Sequence, residues 1–408
     1  MDAKNLTCRR CGTVYPLENR YSCDACNGIL EVTYDYGKVF SKNPIGNPYR
    51  DLPGMWKFRG LLPVEHKSHI VTLGEGDTPL LEAGSIAKDW GCDLEMAVKA
   101  EMLNPTGSFK DRPTSVGVSV AKEKGFEKIV VASSGNASAS AAAYAARAGM
   151  ECVVFVPDST DPNKVVQAQS YGARVICVKG NYSRSFDMAK LCAKRYGWAN
   201  VTSTFLNPYT VEGDKTPAYE LYYQLQGRVP DHIFVPIGSG PLLVGILKGY
   251  EELKRMGLIR RLPAMVGVQV TACEPITRAY EEGSARVRGW EGQIETMAGG
   301  ISDPLMGYEG DGELTLEAVR RTGGRMVSLT EDEVRDAFRM VETKMGLYCE
   351  PTGAVSVGAV KKLWDQRVLK KGALAVCLTT GHGFKYSGRQ PEKPPVIDSE
   401  DQIDRLVR

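Results

Sequence analysis

This sequence lacks both an excess of charge of one sign and any long apolar run. Its 51 Lys and Arg residues nearly balance 49 Asp and Glu residues, which gives a net charge of +2. Such a balance predicts neither a nucleic-acid partner nor an anionic membrane surface. A membrane helix needs about 18 consecutive apolar residues, and no stretch of this sequence approaches that length. The polar N-terminus is unlike a signal peptide. We therefore expect a cytoplasmic protein without nucleic-acid or membrane partners.

The sequence also shows no pattern that requires disulfides. Seven of its eleven cysteines are scattered, several of them inside apolar runs, where a free thiol packs like a small hydrophobic side chain. These seven are Cys92, Cys152, Cys177, Cys192, Cys273, Cys349 and Cys377. The expected environment is a reducing compartment.

The other four cysteines form two knuckles near the N-terminus. Cys8 and Cys11 stand in CRRCG, and Cys23 and Cys26 stand in CDACNG. Two Cys-x-x-Cys pairs, each followed by a turn glycine, are typical of tetrahedral zinc sites. The pattern predicts a structural zinc ribbon over residues 1–34. The alternative is a ribbon fold that keeps its cysteines without metal, and in both cases a four-thiolate site leaves no position for a substrate.

The remaining chain alternates short apolar runs with helical patterns. One series lies between 113 and 205, and a second begins at His232 and ends at Leu378. Alternating strands and helices with short links indicate parallel sheets that are covered on both faces. We therefore predict an α/β protein with two three-layer lobes and open, mostly parallel sheets. The expected division is a large domain over 35–112 and 206–390, a small domain over 113–205, and a tail over 391–408.

One lysine lies where a loop enters a predicted helix. Lys110 is part of NPTGSFKDR and precedes a helical segment that begins near Ser115. A lysine in this position can point into a cleft, where desolvation lowers its pKa and allows it to form a Schiff base with an aldehyde. Considered alone, the motif also suits an ordinary surface lysine at a helix start.

Three other turns follow predicted strands and would meet at the crevice between the lobes. The turn from Gly238 to Leu243 leads into a helix, where free amides and the helix dipole favour a phosphate. Ser133, Ser134 and Asn136 stand at another helix start and suit a phenolic oxygen or a carboxylate, and Thr380 follows a third strand. Each turn alone also fits a plain loop or helix cap. Together with a lysine they match pyridoxal phosphate, which has an aldehyde, a phosphate, a phenolic oxygen and a ring nitrogen.

The motifs NPTGSFKDR, SSGNASASAAAYAARAG, NPYTVEGDKT, CEPTGA and LTTGHGFK occur in this order between Gly74 and Lys385. In order and content the sequence resembles the threonine synthases, which belong to the fold type II (tryptophan synthase β) family of pyridoxal-phosphate enzymes. Its N-terminal cysteines are also similar to a ribbon found on some threonine synthases. The resemblance implies a homodimer whose active site is closed by the smaller lobe.

The resemblance also implies a role for each residue of the matching motifs. Lys110 would bind the cofactor as a Schiff base and move protons, with Phe109 beside it, and Asn136 would bond the phenolic oxygen. The ring nitrogen would face Thr380. The phosphate would be held by the turn Gly238, Ser239, Gly240, Pro241, Leu242 and Leu243, and the substrate by Thr106, Ser108, Ser133, Ser134 and Thr210.

The sequence departs from the family pattern where a leaving group would bind. Threonine synthases usually have arginine where Thr210 stands here, and often asparagine where Ser239 stands. Arginine binds phosphate bidentately, which threonine cannot do. Lys215, Arg184 or Arg112 could replace the missing charge, although each also suits a solvated surface position.

The resemblance implies the threonine-synthase reaction, in which O-phosphohomoserine and water give threonine and phosphate by γ-elimination and β-addition. The alternative in the same fold family is an ammonia-lyase or a β/γ-replacement enzyme acting on serine, threonine, diaminopropionate or a related amino acid. A binding protein without turnover is a third possibility, which the retained Lys110 disfavours.

Overall fold

The structure is a computed structural model that describes residues 3–42, 45, 51–388, 394 and 396. The tail predicted over 391–408 lies outside the described residues, apart from residues 394 and 396. Within the described part, no helix has the length and apolar character needed to cross a membrane.

Thirteen strands are present in the described residues. They are β1 (Ala3–Cys8), β2 (Val14–Tyr15), β3 (Leu30–Tyr34), β4 (Leu80–Glu82), β5 (Glu95–Lys99), β6 (Lys128–Ala132), β7 (Glu151–Pro157), β8 (Arg174–Val178), β9 (Ala199–Asn200), β10 (His232–Pro236), β11 (Ala264–Val270), β12 (Arg325–Leu329) and β13 (Leu374–Leu378).

The described residues also contain thirteen α-helices. They are α1 (Tyr36–Ser41), α2 (Gly84–Asp89), α3 (Asp111–Glu123), α4 (Asn136–Ala148), α5 (Val166–Ser170), α6 (Tyr182–Tyr196), α7 (Val211–Asp214), α8 (Thr216–Gln224), α9 (Pro241–Arg255), α10 (Pro275–Glu281), α11 (Glu309–Arg321), α12 (Glu331–Met345) and α13 (Pro351–Asp365).

Two sheets carry the α/β part of the molecule. The six-stranded sheet has the order β12-β11-β10-β13-β5-β4, and the four-stranded sheet has the order β8-β7-β6-β9. All neighbouring strands in both sheets are parallel except β4, which pairs antiparallel with β5 at an edge. The predicted α/β class with mostly parallel sheets is therefore confirmed.

Both sheets are covered on two faces, as the side chains of their central strands show. In β10, Ile233 and Val235 belong to one buried cluster and Phe234 to another. In β6, Ile129 and Val131 face one cluster while Val130 faces a different one. Because successive side chains of a strand point to opposite faces, each sheet has an apolar core on both sides.

Some elements differ from the sequence prediction. The sequence pattern over 163–171 predicts a single helix, but the structure has a short 3-10 turn, Pro162–Lys164, followed by the one-turn helix α5. Strand β12 was not predicted, although four of its five residues are buried. The edge strand β4 was also missed, because three residues give too short a pattern for alternation to be recognised.

The N-terminal residues form a separate antiparallel sheet with the order β2-β1-β3. This N-terminal segment contacts helix α7 and strand β9. The Tyr34 hydroxyl donates to Glu212 at 2.7 Å, and the Tyr21 hydroxyl accepts from the backbone N–H of Asn200 at 2.7 Å. The ribbon is thus fixed to the body of the protein on two sides.

A buried group of charges lies directly behind the helix start at Asp111. Arg112 is fully buried, and its guanidinium donates to Glu101 at 2.7 Å and to Glu220 at 2.6 Å. Lys99 donates to Glu220 at 2.6 Å, so two cations face two carboxylates. The group joins the end of β5, the start of α3 and the middle of α8, which are far apart in sequence.

Replacing Glu220 by Ala should destabilise the protein by roughly 3–5 kcal/mol, since two buried cations lose a shared carboxylate. The matched control is Glu95→Ala, which removes the exposed ion pair with Arg228 and should cost about 0–1 kcal/mol. Chemical denaturation followed by circular dichroism measures both changes. Equal shifts for the two variants would contradict a structural role for the buried group.

Candidate active site

A cavity of about 1200 Å³ lies between the six-stranded and four-stranded sheets. Its walls are loops that follow β5, β6, β10 and β13, so they come from the carboxyl ends of parallel strands in both sheets. Ligands of open α/β sheets bind at these ends. The cavity is therefore the candidate active site.

Lys110 is the last residue before α3 and lines this cavity. Its Nζ donates to the hydroxyl of Ser203 at 2.6 Å and lies 4.4 Å from the centre of the Phe109 ring. Burial lowers the pKa of Lys110 to about 8, although the carboxylates of Asp214 and Asp303 act in the opposite direction. The amine is thus neutral in a large fraction of molecules near pH 8, which a nucleophilic lysine requires.

The loop that carries Lys110 is paired with the loop that carries Thr380. The N–H of Phe109 donates to the carbonyl of Thr380 at 3.1 Å, and the N–H of His382 donates to the carbonyl of Gly107 at 2.9 Å. Gly107 has φ +85°, a conformation that favours glycine. These bonds place Thr380 beside Lys110 at the cavity wall, as the sequence predicts.

The glycine turn after β10 also lines the cavity from Gly238 to Leu242. Gly240 has φ +103°, and a Cβ there would lie 2.2 Å from Oγ1 of Thr315, so no other residue fits without rearrangement. Helix α9 begins immediately afterwards, and its first N–H groups point toward the turn. Pro241 has no N–H to donate. Leu243 is fully buried and lies outside the cavity lining. The predicted anion site is therefore limited to the glycine end of the turn.

Asn136, the first residue of α4, is held by an acidic residue distant in sequence. Its Nδ2 donates to Oε2 of Glu350 at 2.9 Å, and both residues line the cavity together with Ser133 and Ser134. Burial raises the pKa of Glu350, whereas the bond from Asn136 lowers it. Glu350 thereby orients the Asn136 amide.

Three residues predicted to bind substrate are either bonded to other groups or lie outside the cavity lining. Thr106 lines the cavity, but its N–H and its hydroxyl both donate to Asp111, each at 2.6 Å, so neither is free for a carboxylate. Ser108 is fully buried and outside the lining. Thr210 is also buried outside the lining, where its hydroxyl donates to the carbonyl of Asn207 at 2.8 Å.

Among the cavity residues that were not singled out from the sequence are Ser203, Glu350, Asp303 and Lys385. Ser203 contacts Lys110, and Glu350 contacts Asn136, as described above. Asp303 lies beside the glycine turn, where a Cβ on Gly238 would be 2.9 Å from its Cβ, and it accepts from the Tyr308 hydroxyl at 2.5 Å. Lys385 donates to Gln167 at 2.6 Å. Only Glu350 and Lys385 had a sequence signal, since they stand in the motifs CEPTGA and GHGFK.

The four N-terminal sulfur atoms also come together. The ligand atoms of Cys8, Cys11, Cys23 and Cys26 all lie within 4.8 Å of one another. Ideal zinc–thiolate bonds of about 2.3 Å put sulfur atoms about 3.8 Å apart in a tetrahedron. A Cβ on Gly28 would lie 2.9 Å from Sγ of Cys8, so a glycine keeps the backbone close to the sulfurs. The cluster therefore has a geometry that suits zinc.

Comparison with known proteins agrees with this geometry. A family model described as pyridoxal-phosphate dependent enzyme matches residues 71–381. The threonine synthase of Methanocaldococcus jannaschii is 38% identical over 398 residues, which cover 96% of each chain, and that of Methanosarcina acetivorans is 36% identical over 97% of this chain and 96% of its own. A solved structure of T.th. threonine deaminase superposes with a TM-score of 0.64 at 26% identity, covering 78% of this chain and 94% of that one. The chain therefore belongs to the family of pyridoxal-phosphate dependent enzymes, alongside the threonine synthases.

Proposed function

We propose that the protein converts O-phosphohomoserine and water into threonine and phosphate. The observation that carries this proposal is the half-buried Lys110 amine, which lies in an interlobe cavity of a chain similar to threonine synthases over 96% of its length. The substrate reaches the cavity as an amino acid with a phosphate on its γ carbon. The reaction moves two protons, expels the phosphate and adds water at the β carbon.

The cavity residues fit pyridoxal phosphate. Lys110 supplies the amine that would hold the aldehyde carbon, and the amides of the turn at Gly238 and Gly240 would hold the phosphate. Asn136 and Thr380 offer an amide to the phenolic oxygen and a hydroxyl to the ring nitrogen. Bound there, the cofactor supplies an electron sink for the electron pair of the substrate Cα–H bond. A hydroxyl at the ring nitrogen leaves that nitrogen largely unprotonated, which favours elimination and replacement over transamination.

The protein's own groups then bind the substrate and move protons. The Lys110 amine takes the α proton and can return it, because its pKa of about 8 lies close to neutrality. The Ser203 hydroxyl accepts a hydrogen bond from the same Nζ, which keeps the amine oriented. The hydroxyls of Ser133 and Ser134 would bind the substrate carboxylate at the start of α4.

An ammonia-lyase is the second candidate, and a specific observation favours it. The family arginine is replaced by Thr210, and this residue lies outside the cavity lining with its hydroxyl already bonded. The structural similarity to threonine deaminase, at 26% identity, is in keeping with this alternative. Serine, threonine or diaminopropionate would then lose ammonia.

Purified protein supplied with O-phosphohomoserine should release phosphate and threonine in equal amounts. The variant Lys110→Ala should lower this rate by at least about a thousandfold, since the lysine both holds the cofactor and moves protons. Malachite-green phosphate analysis and chromatography of amino acids measure the two products. Ammonia from serine or diaminopropionate, with neither product from O-phosphohomoserine, would assign the protein to the second candidate.

Uptake of pyridoxal phosphate by cofactor-free protein should depend on pH, because only the neutral amine of Lys110 attacks an aldehyde. The rate should rise with pH and level off above about 8, the pKa of this lysine. In Asp303→Asn the inflection should move to lower pH, since the removed carboxylate raises the Lys110 pKa.

Stopped-flow absorbance measures this rate between pH 6 and 10, a range that extends about two pH units on either side of the expected inflection. The control is Asp187→Asn, which removes an acid on the exposed face of α6. An inflection that moves upward in Asp303→Asn, or a rate independent of pH, would disagree with the electrostatic account.

We also propose that the four-cysteine cluster binds structural zinc. The protein should contain one zinc per chain by atomic emission, and Cys23→Ser should lose it while the cofactor absorbance is retained. Cys177→Ser is the matched control, because its thiol is exposed and far from the cluster in sequence. A wild-type protein without zinc, purified in zinc-supplemented medium, would refute the metal site.

Finally, we propose a cytoplasmic homodimer with a smaller mobile lobe over 113–205 and a larger lobe over 35–112 and 206–390. The four-stranded sheet falls within the first range, and every strand of the six-stranded sheet falls within the second. All eleven cysteines have free thiols, in keeping with a reducing compartment. Analytical ultracentrifugation tests the dimer.

A further inference from the structure

The cavity contains more positive charge than the cofactor-binding lysine provides. Lys164, in the 3-10 turn Pro162–Lys164, and Lys385, in the 3-10 turn Gly383–Lys385, both line its wall. Lys164 comes from the chain between β7 and β8 of the four-stranded sheet, whereas Lys385 follows β13 of the six-stranded sheet. The two lysines therefore approach the cavity from opposite lobes.

Lys385 is held by a neutral partner. Its Nζ donates to Oε1 of Gln167 at 2.6 Å, and Nε2 of Gln167 donates to the carbonyl of Thr106 at 3.1 Å. Across the described ranges, no carboxylate lies within ion-pair distance of Lys385 or Lys164. Burial lowers the pKa of Lys385, although the carboxylates of Glu350 and Asp111, beyond ion-pair distance, act in the opposite direction.

The backbone leaves room for this side chain. A Cβ on Gly107 would lie only 2.9 Å from Cε of Lys385, so the glycine lets the lysine run along the loop that precedes Lys110. Lys385 is thus directed into the cavity by the same loop that carries the cofactor-binding lysine.

The other cations that could replace the family arginine do not line the cavity. Arg112 is engaged with Glu101 and Glu220. Lys215 is fully buried and pairs with Glu212 at 2.7 Å and with Glu252 at 3.0 Å. Arg184 is exposed on α6 outside the cavity wall.

We propose that Lys385, together with Lys164, binds the phosphate leaving group of the substrate, an inference that rests on the proposed function. A phosphate monoester carries between one and two negative charges near neutral pH. Two ammonium groups from the two lobes can bind it as point charges without the planar geometry that arginine offers.

The ammonium groups of Lys385 and Lys164 would act on the step in which phosphate is eliminated. When the β C–H bond breaks, its electron pair forms the Cβ–Cγ double bond and its proton passes to the Lys110 amine. The electron pair of the Cγ–O bond leaves with the phosphate oxygen. Lys385 and Lys164 stabilise the negative charge that develops on that oxygen.

The experiment uses the cofactor-loaded protein with inorganic phosphate and glycine as separate probes. Phosphate represents the leaving group, and glycine carries the α-carboxylate alone. Dissociation constants come from changes in cofactor absorbance, measured for wild type, Lys385→Met, Lys164→Met and Lys385→Arg. The control is Lys194→Met, which removes an exposed cation on α6 outside the cavity wall.

Lys385→Met should weaken phosphate binding about tenfold or more, since a charge-assisted hydrogen bond is lost. Lys164→Met should have a smaller effect in the same direction, because this lysine is exposed. Lys385→Arg should restore binding to within about threefold of wild type, and glycine affinity should stay unchanged in every variant. An unchanged cofactor absorbance shows that each variant is folded and loaded.

Unchanged phosphate affinity in Lys385→Met would overturn the proposal, as would an equal loss of glycine affinity, which would assign the lysine to the α-carboxylate. Product formation from O-phosphohomoserine is measured separately in wild type. A wild type that binds phosphate through Lys385 but forms no threonine would refute the proposed function and leave the anion site standing.

Discussion

The position of Lys110 depends on the buried charges two residues further along the chain. Arg112 donates to Glu101 after β5 and to Glu220 in α8, and it shares Glu220 with Lys99. A buried guanidinium with two carboxylates has little freedom to move, because any displacement would leave a charge unpaired in a low dielectric. The first turn of α3 is therefore fixed against the six-stranded sheet. This constraint aims the preceding lysine into the cavity.

The cavity wall contains both acidic and basic side chains. Asp303 lies at the glycine turn, Glu350 lies at Asn136, and three lysines approach from the surrounding loops. Burial favours the uncharged forms of Asp303, Glu350, Lys110 and Lys385, whereas attraction between opposite charges favours the charged forms. These opposing effects leave the pKa of Lys110 at about 8. Among the described residues, Lys385 has no carboxylate within ion-pair distance. The two proposed phosphate sites lie on different loops, since the glycine turn follows β10 and Lys385 follows β13.

Local sequence patterns predicted the parts of this site that depend on strand ends and helix starts. Lys110, Asn136, Thr380 and the glycine turn all follow β-strands or precede helices, and the topology brings their loops together. The hydrogen-bond partners of these residues are distant in sequence. Ser203 is 93 residues away from Lys110, and Glu350 is 214 residues away from Asn136. No pattern within a short window specifies contacts over such separations.

The hydroxyl residues show a second limit of prediction from sequence. Thr106 and Thr210 stand in motifs that suggest substrate contact, yet both bond to groups within five residues along the chain. Short polar side chains commonly bond to nearby backbone or side-chain groups in turns, and this local preference prevails here. The helix predicted over 163–171 is likewise a 3-10 turn plus one helical turn, which places Lys164 at the cavity wall.

We propose that Lys110, rather than another cavity lysine, holds the cofactor. Reduction of the loaded protein with borohydride, followed by proteolysis and mass spectrometry, locates the attached pyridoxyl group directly. We expect a single modified lysine per chain, Lys110, in the peptide that contains NPTGSFKDR. A pyridoxyl group on Lys164 or Lys385, or no modified lysine in a protein that shows cofactor absorbance, would contradict it.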